Sequence, residues 1–171
     1  MNKLFLVAAF FSFLSCGNNG NNRVNAVQFM QSNKVMDDSP NTNIEKLNSL
    51  ITVPEKITDV KWQTIRTGTG ELGPSDIILL TVLSIPDSTI LNKLQSETIL
   101  DYQVGIKNTL IRNWIPNEIK VLFIPHEKQK DILVPTVKAF DPSLFINKEL
   151  RQGFFIIDEE QKKVFLYLIS M

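Results

Sequence analysis

The spacing of apolar positions after residue 56 predicts more strands than helices. Val60 to Arg66 alternates around Trp62 and reads as a strand. Ile77 to Ile85, IILLTVLSI, is an almost unbroken apolar run rich in β-branched residues, the pattern of a central strand covered on both faces. Pro86-Asp87-Ser88 places capping side chains ahead of Ile90, Leu91 and Leu94, so a short helix is predicted from Asp87 to Ser96.

Leu100 to Trp114 is ambiguous. One reading is a helix presenting Leu110, Ile111 and Trp114, stopped by Pro116. Ile119 to Ile124 predicts a strand, and Ile132 to Ala139 another, which Pro135 confines to an edge or a bulge. Gly153 to Asp158 and Val164 to Ile169, joined by Glu159-Glu160-Gln161-Lys162-Lys163, predict a hairpin. The expected fold class is α+β, a mostly antiparallel sheet with one or two helices packed on a face, since that arrangement buries all these runs.

The N-terminal pattern is different. Lys3 is followed by Leu4 to Leu14, apolar except for Ser12, and then by Ser15 and Cys16. A dozen apolar residues are too few for a spanning helix, which takes roughly 20, but they fit the apolar region of an export signal. From Asn18 to Asn48 the chain collects nine of its fifteen asparagines, with Ser, Asp and Pro40 among them. Such a composition buries too little apolar surface to offset chain entropy, so residues 16–55 are expected to form a flexible tether. Two patches within it, Val24-Val27-Met30 and Ile44-Leu47-Leu50-Ile51, have helical spacing and could dock on the domain or on a partner. The organisation expected is thus a leader at 1–15, a tether at 16–55 and one small α+β domain at 56–171.

Composition fits one globular domain plus extras: 171 residues, 43% hydrophobic and 21% charged. Lys and Arg number 18, as do Asp and Glu, and loss of a leader whose only charge is Lys3 leaves 17 basic against 18 acidic residues. Near neutrality argues against nucleic acid as a partner, because phosphate binding needs clustered cations. One cysteine forms no internal disulfide, and one histidine, His126, does not make a Cys/His zinc site. No cofactor is expected.

Phe13-Leu14-Ser15-Cys16 resembles the lipobox of bacterial lipoproteins. In that family Leu is preferred three places before the cysteine, where this chain has Phe13; Ser15 and Cys16 match the pattern. The resemblance implies removal of the leader, a diacylglycerol on the Cys16 thiol and residence in the cell envelope. With no Asp after Cys16, the outer membrane is the expected location. Two acyl chains, at about 0.8 kcal/mol per buried methylene, hold a protein stably where a single chain is marginal.

The folded part offers weaker signals. Gly68-Thr69-Gly70-Glu71-Leu72-Gly73 matches G-x-G-x-x-G, but Pro74-Ser75-Asp76 leads towards a second strand where a dinucleotide site needs a helix. A hairpin connection, free to act as a contact loop, is the simpler reading. His126 with Ser75 and Asp76 would be the partners of a hydrolytic triad, yet there is no G-x-S-x-G elbow and His126 reads as an exposed turn residue. Asp76, Asp101 and Asp141 could converge as catalytic carboxylates. Asp158-Glu159-Glu160, Lys128-Gln129-Lys130 and Lys162-Lys163 read as solvated turns. Trp62, Tyr102 and Trp114 serve either as core or as an aromatic contact patch. The candidate partner contacts are therefore Trp62, Gly68, Gly70, Gly73 and Trp114.

Together these features describe a lipid-anchored envelope protein whose domain is a non-catalytic binding or accessory module, adaptor-like or inhibitor-like, with another envelope protein as its expected partner. The alternative is a small envelope hydrolase working through carboxylates.

Overall fold

The computed structural model describes residues 38–67, 76–147 and 149–170. Eight strands follow one another: β1 (Asp59–Thr67), β2 (Asp76–Ser84), β3 (Ile106–Lys107), β4 (Phe123–Pro125), β5 (Ile132–Pro135), β6 (Ala139–Phe140), β7 (Gln152–Asp158) and β8 (Lys163–Ile169). Three short helices accompany them, α1 (Ile44–Asn48), α2 (Ser88–Gln95) and α3 (Asn117–Lys120). The central sheet has the order β1-β2-β8-β7-β6 with every neighbour antiparallel, and a second sheet has the order β3-β5-β4. The fold is mostly antiparallel β with few, short helices, as the apolar pattern predicts.

Register follows from the period of two. Across the central sheet Trp62 faces Thr81, Thr81 faces Leu166, Leu166 faces Phe155, and Phe155 faces Phe140. Isolated bridges lengthen this row at both ends, Asn41 beyond Trp62 and Ile99 beyond Phe140. A slip of one residue would turn every side chain in a strand to the opposite face. Because both faces are buried, the central runs Ile77 to Leu83 of β2, Phe154 to Ile157 of β7 and Val164 to Ile169 of β8 are apolar at every position but Thr81.

The two faces carry separate cores. On one, Leu79, Leu83, Phe155 and Leu166 meet Leu47 of α1, Leu91 and Leu94 of α2, and Phe145. Phe155 stacks on Phe140 with ring centres 5.1 Å apart and meets the edge of Phe145 at 5.2 Å. On the other, Ile78, Leu80, Val82, Ile156 and Phe165 meet Ile106, Leu110, Ile115, Ile119 and Phe123 of the second sheet and its flanking turns. The β7–β8 hairpin and α2 match their predicted positions. Lys162 takes φ 53° in the hairpin turn, and Asp158 Oδ1 accepts from the Gln161 N–H at 3.1 Å. Asp87 caps α2 by accepting from the Thr89 N–H at 2.8 Å.

Four expectations need correction. The tether was expected to run through residue 55, but residues 41–53 belong to the folded body: Leu47 and Ile51 are 0% and 1% exposed, and Asn41 exchanges two hydrogen bonds with Trp62. Burying each of two such side chains contributes about 1.5–3 kcal/mol, enough to outweigh the polar composition around them. Ile119 is in α3 rather than a strand, because Pro116 presets φ at −58° for a helical turn that drops Ile119 into the core. Leu100 to Trp114 forms no α-helix; Leu100 hydrogen-bonds Ala139, Ile106 pairs with Leu133, and only Asn108–Leu110 makes a 3-10 turn. Finally, Ile132 to Ala139 is two strands in two sheets, since the chain leaves β5 at Pro135 and enters β6 at Ala139.

Candidate functional site

Of the candidate partner contacts, Trp62 and Trp114 fall among the described residues and Gly68, Gly70 and Gly73 do not. Trp62 is 7% exposed, and its indole N–H donates to the Asn43 carbonyl at 3.1 Å. Trp114 is half-buried against the second core and donates to Gln63 Oε1 at 3.2 Å. Both tryptophans are packing residues with satisfied N–H groups and form no exposed patch. Cys16 also lies outside the described residues. The strands on either side of residues 68–75 are paired neighbours in register, Thr67 opposite Asp76, and Asp76 opens a strand rather than the helix a dinucleotide site needs.

The three carboxylates are dispersed. Asp76 opens β2 and Asp141 follows β6; with β8 and β7 between those strands, their separation is about 14 Å at the usual strand spacing. Paired glycosidase carboxylates stand about 5–9.5 Å apart. Asp101 is exposed beyond β6. His126 has both ring nitrogens engaged. Its Nδ1 accepts from the Lys128 and Gln129 N–H groups at 3.1 Å each, and its Nε2 lies 3.2 Å from Gln103 Oε1. An Nδ1 that accepts twice leaves the proton on Nε2, which donates to Gln103. The imidazole thus closes the 126–129 turn, away from Asp76. Among the described residues no three His, Cys, Asp or Glu side chains gather as metal ligands, and no helix is long and apolar enough to cross a membrane.

Two surfaces stand out instead. The first is a cavity of about 450 Å³ at the end of the central sheet where β7 begins and β8 ends. It is lined by Phe154, Tyr167 and Ile169, on the face carrying the second sheet, by Tyr102 and Val104, by Asp141 to Ser143, and by the exposed Arg151 and Gln152. Phe154 is buried, whereas Tyr167 and Ile169 are half-buried. Two glycines let the walls approach. A Cβ on Gly153, whose φ is +149°, would sit 1.9 Å from the Tyr167 carbonyl oxygen, and one on Gly105 would sit 2.6 Å from Ile132. Asp141 Oδ1 accepts from the Ser143 N–H at 2.9 Å and from its hydroxyl, fixing one wall. Burial pushes the Tyr167 phenol up from its ordinary pKa, so it remains a neutral hydroxyl at physiological pH.

The second is an apolar margin. Ile99, Tyr102, Val121 and Ile124 are 47%, 63%, 71% and 50% exposed, four of the five large hydrophobic side chains so exposed among the described residues. They border three depressions of about 710, 430 and 190 Å³ that share walls, Val137 and Lys138 between two of them and Gln103 and Val134 between two. The sequence carried one signal for this margin. Val121-Leu122-Phe123-Ile124 is four apolar residues in a row, and in so short an element some of them must face water.

The fold and these surfaces define an antiparallel α+β domain with a two-sided core and an apolar flank. Comparison of the chain with protein-family models, with curated proteins and with solved structures finds no match.

Proposed function

We propose that this chain is a lipid-anchored protein of the cell envelope, acylated at Cys16 and held at the outer membrane, whose domain binds another envelope protein as an accessory, adaptor or inhibitor module without catalysing a reaction. The observation that carries the binding role is the apolar margin of Ile99, Tyr102, Val121 and Ile124. Large apolar side chains gathered on one flank mark contact surfaces, whereas single scattered ones are ordinary. The location rests on the lipobox-like Phe13-Leu14-Ser15-Cys16. With residues 41–53 in the folded body, residues 17–40 remain to link it to the lipid, a reach of at most about 85 Å. The partner is therefore sought at the membrane surface.

Mass spectrometry of the protein extracted from membranes tests the anchor. A chain beginning at Cys16 and carrying diacylglycerol is expected, with Cys16→Ala retaining its leader; an intact leader or an unmodified thiol overturns the location. A photo-crosslinker at Val121 tests the flank. One partner is expected to be captured, and the pair Ile99→Glu with Ile124→Glu, each at an exposed position, should abolish capture without lowering Tm. Equal capture by that double variant removes the flank from the account.

A further inference from the structure

The cavity at the end of the central sheet shares Tyr102 and Val104 with one depression along the apolar flank, but its chemistry differs. At about 450 Å³ it is within the range of small-molecule sites. Among the described residues its charged lining is Asp141 and Arg151, one of each sign, so the lining carries no net charge. Two tyrosine rings line it beside Val104, Ile146, Phe154 and Ile169. Neither tyrosine hydroxyl has a hydrogen-bond partner among the described residues, and Asp141 engages its Ser143 partner through Oδ1, leaving Oδ2 available as an acceptor. Gln152 adds a planar amide able to donate and accept at once.

Mixed donors and acceptors without net charge, set against apolar and ring surfaces, suit a molecule that presents hydroxyl groups around its edge and C–H groups on its faces. A fixed anion or cation would leave either Asp141 or Arg151 repelling it, and a wholly apolar ligand would strand the phenols and the amide without water. We infer that this cavity binds a neutral saccharide, one to three sugar units in length, with Tyr102 and Tyr167 against its ring and Asp141 and Gln152 on its hydroxyls. The site goes beyond the partner-binding role proposed above and is tested apart from it.

The full chain, purified in a detergent without a sugar headgroup, is titrated with neutral trisaccharides of glucose, galactose, mannose and N-acetylglucosamine while backbone amide signals are followed by NMR. At least one sugar is expected to shift Val104, Gly105, Gly153 and Phe154 with a Kd of about 1 mM or tighter. Tyr102→Ala, at an exposed position, should weaken binding about tenfold, and Asp141→Asn, which keeps an oxygen for the Ser143 turn, several-fold. The near-UV signal of Trp62 reports that both variants are folded. The inference is overturned if no trisaccharide moves those amides, if the shifts fall at Val121 and Ile124 instead, or if folded Tyr102→Ala binds as the parent does. Photo-crosslinking from Val121 proceeds without sugar, so failure of the saccharide site leaves that result untouched, and failure of the flank leaves this one.

Discussion

The two faces of the central sheet are built from the same five strands and differ in what covers them. On the face carrying α1 and α2, short segments from three distant parts of the chain close over Leu79, Leu83, Phe155 and Leu166, and a depression of about 120 Å³ beside Ser49 and Leu150 borders them. The opposite face is covered by the three-stranded sheet with α3, and a space of about 450 Å³ lies beside Phe154 and Tyr167. Strands alone do not decide which apolar side chains stay exposed. What packs over a face does so too, and on this chain Val121 and Ile124 stand exposed on the layer over the second core.

The sharpest way to break that contrast is to empty the closed face. Phe155 is 0% exposed and touches the rings of Phe140 and Phe145, so Phe155→Ala is expected to cost about 3–5 kcal/mol, read as a lower urea midpoint. A change on the flank, such as Val121→Ala, should stay within about 0.5 kcal/mol. Similar losses at both positions would mean that the faces are not closed and open as described.

Next in size is a test of where the closed face gets its cover. Leu47→Ala should cost about 2–5 kcal/mol, because Leu47 is wholly buried beneath α1. It should also perturb the near-UV signal of Trp62, whose indole N–H bonds to the Asn43 carbonyl at the start of that helix. If stability and signal both stay at parent values, residues 41–53 return to the tether.

This N-terminal segment also shows how much was legible in the sequence. Runs such as Ile77 to Ile85 and the paired strands around Glu159 to Lys162 announce themselves, because burial on both faces or a period of two leaves little choice of conformation. Residues 41–53 are open to two readings, spacer from their Asn, Thr and Ser or docked through the helical spacing of Ile44, Leu47, Leu50 and Ile51. The docked one holds, with Leu47 and Ile51 buried and Leu50 and Val53 packed beside them. Two buried side chains outweigh the seven exposed polar ones in this segment, and composition averages that asymmetry away. Trp62 was ambiguous for a related reason, since its burial depends on Asn41 and Asn43, roughly twenty residues earlier, reaching its strand edge. The cavity was not legible, because Tyr102, Asp141, Gln152 and Tyr167 converge only through sheet order.

A smaller effect of opposite sign tests the closed face from within. Thr81 is 0% exposed in the row between Trp62 and Leu166, and its hydroxyl has no hydrogen-bond partner. An unpaired buried hydroxyl is costly, and valine has nearly the same shape without it. Thr81→Val is therefore expected to stabilise the protein by about 1 kcal/mol in urea unfolding. Destabilisation would show that the hydroxyl has a partner, such as a bound water, and that this face is less dry than its side chains imply.

The smallest effect is expected at the rim of the closed face, where the chain entering β1 is tied to the start of α2. Lys56, at φ 58°, bonds to Asp87 Oδ2 at 2.8 Å. The Lys56 hydrogen bond, then the Thr89 N–H, lowers the Asp87 pKa to about 2, while the Asp87 hydrogen bond, then its charge, raises that of Lys56. A depressed carboxyl pKa stabilises the fold above its unfolded value, and that contribution disappears as pH falls from about 4 towards 2. A raised ammonium pKa acts at the other limit, its contribution being complete below the unfolded value and lost as pH rises through the folded one. The tie should therefore help equally across neutral pH and fade at both extremes. Lys56→Met keeps the length of the side chain and removes its charge and donors, so the Asp87 carboxyl titration followed by carbon NMR should move up from about 2. It should not return fully to the ordinary value, because the Thr89 N–H still holds one oxygen. The same midpoint in parent and variant would show that the α2 cap alone sets this carboxyl and that Lys56 contributes nothing to closing the face.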